Sequence, residues 1–201
     1  MAINFANNSS LANITSLPAS ISGGALTLLQ TQTASASATI DFTSGIDSTY
    51  DSYIFKFINI HPQTDLADFT FQADTGTNTN YNQTITSTHF QAFHDEADTS
   101  AILAYNTGRD QAQGTAFHKL TNTLGNDNDQ SLSGYLQIFY PSSSVFVKHF
   151  MSKIQHSQDA DYTFNPFTAG YFNTTTPLTR FRFKMSSGNI DDGIIKMYGV
   201  A

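Results

Sequence analysis

The sequence predicts an all-β fold, an antiparallel β-sandwich of jelly-roll kind with a short N-terminal arm. Three observations carry that expectation. The first is composition. The 201 residues include 17 Phe and 9 Tyr, while Thr, Ser and Asn make up close to a third of the chain. Phe, Tyr and Thr suit a pleated, half-buried surface. Helix surfaces are built instead from Glu, Lys, Arg, Gln, Leu and Ala, yet charged residues are only 12% here and Glu96 is the only Glu. The second is patterning: apolar residues recur with period two over short runs bounded by turn clusters. The third is that no segment offers the long helices that parallel βαβ crossovers require.

Residues 1–24 read as an arm ending in Ser22-Gly23-Gly24. It is either a partly ordered terminus or an arm that orders on a neighbouring subunit. Residues 25–201 read as the sandwich domain. Ala38, Ile40 and Phe42 alternate onto one face, and Tyr53–Ile60 is a run with apolar residues on both faces. Such a run is expected to be central in its sheet or covered by a loop, and His61-Pro62 should stop it. Phe69, Phe71 and Ala73 alternate up to the turn at Asp74-Thr-Gly76. Further on, Leu132, Leu136, Ile138 and Tyr140 share one parity. Val145, Val147, His149 and Met151 share a face opposite Phe146, Lys148 and Phe150. Tyr162–Phe164 and Ala169–Phe172 read as two short strands. Thr179–Met185 is the cleanest alternation, predicting Phe181, Phe183 and Met185 inside with Arg180, Arg182 and Lys184 outside. Ile194–Tyr198 is the last strand expected.

The stretch near 75–130 differs. Its periodicity is weak and it carries much of the His, Asp and Gly punctuation. It is expected to be a long loop insertion, with a short helix over Ala97–Tyr105 and a short strand over Ala116–Leu120. Long irregular insertions are usually functional or interface loops.

Charge and residue usage exclude several classes. A net charge of −7 argues against a nucleic-acid binder and against a polybasic membrane-surface protein. The absence of Cys rules out disulfides, Cys-ligated zinc and a thiol nucleophile. No apolar run reaches the ~18 residues of a transmembrane helix, and the first residues lack the basic and apolar regions of a secretory signal.

Four constellations could carry chemistry. His94-Asp-Glu-Ala-Asp98 is the densest ionisable cluster, suited to a divalent metal or to acid–base work, but it matches neither a zincin nor an EF-hand pattern. Gly125-Asn-Asp-Asn-Asp129 alternates oxygen donors like part of a calcium loop, without the central Gly and closing Glu. Polar turns explain both. Arg180, Arg182 and Lys184 make a basic stripe that either meets an anionic partner or is a plain exposed sheet face. The six His (61, 89, 94, 118, 149 and 156) are dispersed. No catalytic, cofactor-binding or metal residue is assigned, no cofactor is expected, and the chain is read as a non-enzyme.

Ala36–Tyr50, Tyr53–Pro62, Phe90–Asp98, Ala169–Thr175 and Phe183–Gly199 resemble a group of virion structural proteins of tailed bacteriophages, especially marine ones. The resemblance covers most of residues 20–201 and carries no catalytic residues. It implies a β-rich structural component of the virion, a capsid decoration or cement protein or a tail or fibre component, assembled in the host cytoplasm. The partners it implies are other virion proteins and further copies of the chain, a trimer among the options. The alternative is a module that binds host-surface glycans or a receptor through exposed aromatics. Neither nucleic acid nor membrane is expected as a partner.

Overall fold

The computed structural model describes residues 26–201, so the expected arm at 1–24 lies outside the described residues. The elements are β1 (Thr27–Ser37), β2 (Ile40–Phe42), β3 (Ser52–Pro62), β4 (Phe69–Thr75), β5 (Ile85–Asp95), β6 (Ala101–Tyr105), β7 (His118–Lys119), β8 (Leu132–Phe139), β9 (Lys148–Gln158), β10 (Tyr162–Phe172), β11 (Leu178–Met185) and β12 (Ile190–Val200). Every pairing is antiparallel. One sheet has the order β1-β12-β3-β8-β9-β10-β5-β6 and the other β2-β11-β4-β7.

The strand order shows how the fold is built. Without β5, β6, β9 and β10, four strands β1-β12-β3-β8 face four strands β2-β11-β4-β7, and the chain changes sheet at every step except β4 to β7. That is an eight-stranded jelly roll, as expected. The other four strands are two inserted hairpins, and they join side by side to extend only the longer sheet. We call this extension the wing.

The sheets close on a Phe core. Phe183 of β11 is its hub, with ring centroids 5.2 Å from Phe55, 5.4 Å from Phe57, 5.8 Å from Phe69 and 6.1 Å from Phe42. All five rings are buried. Edge-to-face and offset contacts of this kind add about 0.5–1.5 kcal/mol per pair beyond burial. Phe181 and Met185 point inward beside Phe183, as the alternation predicts.

Some expectations change. β3 is central, but its outer face is not covered: Ile58 is exposed, and Ile60 turns into the core because the ladder slips between Phe57 and Ile60, with Asn59 at φ 49°. Gly193 sits across this bulge at φ 122°, where a Cβ would come within 2.7 Å of Asn59 O and Ile60 Cα. Only Gly fits there. The two strands expected around Pro166 are one, β10, with neighbours on both sides. Proline has no N–H for the ladder. The amide of Asn165 replaces it, donating to Ile154 O at 2.7 Å. Within 75–130 lie β5, an 11-residue strand of the long sheet, together with β6 and β7. The helix expected at Ala97–Tyr105 is a turn followed by the strand β6.

Candidate docking face and polar sites

β8, β9, β10, β5 and β6 alternate one residue toward the sandwich and one outward. Pairing registers align the outward residues into a row across the sheet. Tyr135 lies opposite Lys153, Lys153 opposite Phe167, Phe167 opposite Phe90, and Phe90 opposite Tyr105. Phe90 and Phe167 stack at 5.1 Å with rings 4° from parallel, and Lys153 Nζ stands 5.2 Å from the Phe167 centroid. The next row runs Gln137, Met151, Ala169, Thr88. Phe90, Tyr105, Tyr135 and Met151 are all exposed. Two shallow grooves share Met151 and Ala169. One, of about 500 Å³, also takes in Phe139, His149 and Tyr171; the other, of about 300 Å³, takes in Phe90, Tyr135 and Phe167. A contiguous apolar surface rimmed by polar groups is what a docking site requires.

The wing's inner face is mixed: Ile85, Phe150, Ile154 and Phe172 belong to the Phe core, and many of the remaining inward positions are polar. Ser87, His89, Gln91 and Asp95 of β5, Thr168 of β10, and Ser152 and His156 of β9 are buried there. The segment 106–124 covers part of this face and ties it to the short sheet. Gln111 N–H donates to Ser87 Oγ at 3.0 Å, Asn122 N–H to His156 Nε2 at 3.4 Å, and Leu120 N–H to Phe69 O at 2.8 Å. At the centre Arg109 pairs with Asp68 and also donates to Asn122 Oδ1, while Lys119 Nζ lies 3.2 Å from Asp68. Asp68 accepts a further bond from Thr123 N–H at 3.0 Å.

Three of the six His gather here. The carbonyl of Lys119 can only accept, so His118 Nδ1, 2.9 Å away, carries the ring proton, and Nε2 accepts from Ser87 Oγ at 2.6 Å. His156 is held in the same tautomer by Ser157 O, and His89 Nδ1 meets Thr168 Oγ1 at 3.0 Å. Burial pushes all three from the usual 6.5 down to about 4. They are neutral hydrogen-bonding pieces of the packing.

The two ionisable loops singled out in the sequence meet. His94, Asp95 and Glu96 share a polar pocket of about 540 Å³ with Asp127, Asp129 and Asp161. Asp95 is committed to its own turn: its carboxylate accepts from Thr99 N–H at 2.8 Å, Ser100 N–H at 2.9 Å and the Thr99 hydroxyl, bonds that hold it below the ordinary carboxylate value. Among the described residues no group of three His, Asp or Glu is arranged to hold a metal ion.

The basic stripe is engaged within the chain, and only Arg182 meets a carboxylate. Arg182 binds Asp41 through two bonds of 2.7 and 2.6 Å and lies 4.1 Å from the Tyr81 ring centroid. Arg180 donates to Gly76 O at 2.9 Å, and Lys184 lies over Phe117.

No family model, curated protein or solved structure matches the chain. The docking row was not singled out in the sequence, because its residues come from five strands and share only outward parity. That parity was legible for β9, where His149 and Met151 fall on one face.

Proposed function

We propose that this chain is a non-enzymatic structural component of a tailed-phage virion, a capsid decoration protein or a tail or fibre module. It acts by self-association and by docking on other particle proteins. The observation that carries the reading is the outer face of the wing, an aromatic and apolar surface on a rigid sheet. The resemblance of residues 36–50, 53–62, 90–98, 169–175 and 183–199 to virion structural proteins supports the same reading, as does low charge density, since interfacial charges are costly to desolvate. Density-gradient purification of the particle tests it. The chain should copurify in fixed stoichiometry, and a particle map should place the outer face of β8-β9-β10-β5 against a neighbour. Recovery only in the soluble lysate would contradict the proposal.

A second reading has its own support. The grooves place Gln137, Lys153 and His149 beside exposed rings, a combination that suits a glycan. A glycan array of host-surface saccharides decides: binding abolished by Tyr135→Ala favours this reading, and a blank array removes it.

A further inference from the structure

Of the four sheet edges formed by the described residues, three carry features that discourage another strand from joining. β2 has three residues and β7 two, while β1 has a register slip between Leu28 and Gln30 and a left-handed Ala36 at φ 47°. Short strands, bulges, Pro and charge are the usual guards of an edge. β6 differs. Ala101-Ile-Leu-Ala-Tyr105 has no charge, no Pro and no register slip, and it ends the long sheet. Ile102 is 47% exposed, Leu103 74% and Tyr105 52%.

The direction of its free hydrogen-bonding groups follows from two contacts. Asn106 N–H donates to His89 O, and Ser100 O accepts from Asp95 N–H, both toward β5. Alternation then turns the N–H and C=O of Ala101, Leu103 and Tyr105 outward. These three residues can form a complete ladder with another strand.

We propose that the partner is a second copy of this chain, paired β6 to β6 about a two-fold axis through Leu103. The strand is self-complementary in that register. Leu103 meets Leu103 of the other copy, Tyr105 lies against Ala101, and Ile102 lies against Ala104, so each large side chain faces a small one except on the axis. The outward N–H and C=O groups of 101, 103 and 105 are all satisfied. No charge within β6 repels the copy. An isologous contact of this kind closes after two copies and does not run on into a fibre. It joins two long sheets and sets the Tyr105–Phe90–Phe167 rows of both copies on the same face. The inference does not rest on the virion reading, since the edge is the same in any setting.

The full chain has no Cys, which gives a clean test. In a hydrogen-bonded antiparallel pair the facing Cα atoms are about 5.5 Å apart, within disulfide range. Leu103→Cys should therefore form a covalent dimer under mild oxidation. Ala101→Cys should not, because the two thiols would sit about 13 Å apart along the strands. Analytical ultracentrifugation of the unmodified chain should show a monomer–dimer equilibrium, weakened at least about tenfold by Leu103→Lys. A chain that stays monomeric at all concentrations would overturn the proposal. So would equal crosslinking at 101 and 103, or association indifferent to Leu103→Lys.

Discussion

The jelly roll and the wing have the same strand geometry and fill their inner faces differently, although Ile85, Phe150, Ile154 and Phe172 of the wing join the Phe core. The jelly roll closes on interlocked Phe rings around Phe183. The wing closes much of its inner face with Ser, Gln, Thr and His, covered by 106–124 and pinned by Arg109–Asp68. The four-stranded sheet ends at β7, so the last strands of the longer sheet have no opposing sheet. A loop must cover them, and a loop brings backbone groups that need partners. Polar inward residues supply those partners, leaving the wing's outer face and its β6 edge for other molecules. The jelly roll is stabilised by area, which is tolerant of direction; the wing depends on directional bonds, each costly to lose once buried.

The sharpest way to break this contrast is at its apolar end. Phe183→Ala removes the ring that joins both sheets and should cost about 3–5 kcal/mol in denaturant unfolding. A loss under about 1 kcal/mol would mean that the core does not centre on this ring. Next is Arg109→Leu, which leaves the buried Asp68 with half-exposed Lys119 as its one remaining cation and Thr123 N–H as a hydrogen-bond donor. The expected cost is about 3 kcal/mol, and limited proteolysis should cut 106–124 first while β1 to β4, β8, β11 and β12 stay intact.

Acid should act on the wing as well. His89, His118 and His156 have native values near 4 against 6.5 when unfolded. Between those values the unfolded chain binds more protons, so stability is full above about pH 6.5 and falls as the pH drops toward 4. Each His accounts for about 2 kcal/mol by pH 5. His156→Gln should remove close to a third of the His-driven slope in a pH series of unfolding curves. The carboxylates held low, Asp95 by the bonds of its turn and Asp47 by bonds from the Thr49 hydroxyl and N–H, lose their contribution only below the ordinary Asp value of 3.8, outside this window. The smallest effect is expected on the outer face, where Phe90→Thr unstacks one pair and should cost about 1 kcal/mol while impairing docking.

The same contrast explains what the sequence disclosed. β11 was legible because its inward positions are Phe181, Phe183 and Met185 against Arg180, Arg182 and Lys184. β5 was not, because its inward positions include Ser87, His89, Gln91 and Asp95, which leave no period-two apolar signal to find. β6 looked helical: Ala, Leu and Ala suit a helix, and adjacent Ile102 and Leu103 belong to opposite sheet faces. Pro166 divided β10 on paper because the compensating bond comes from a side chain, Asn165. The ionisable residues 94–98 and 125–129 were visible as types. Their meeting in one pocket depends on the pairing of β5, β10, β9 and β8, which no local pattern encodes.

An apolar jelly roll thus carries a wing whose β5 strand and covering segment 106–124 are held largely by polar contacts. Hydrogen exchange of the full chain at pH 7.5 and pH 5, corrected for intrinsic rates, tests it most directly. Amides of β5 and of 106–124 should lose protection at the lower pH, while those of β3 and β11 keep it. Equal loss in both regions, or an unchanged wing, would contradict it.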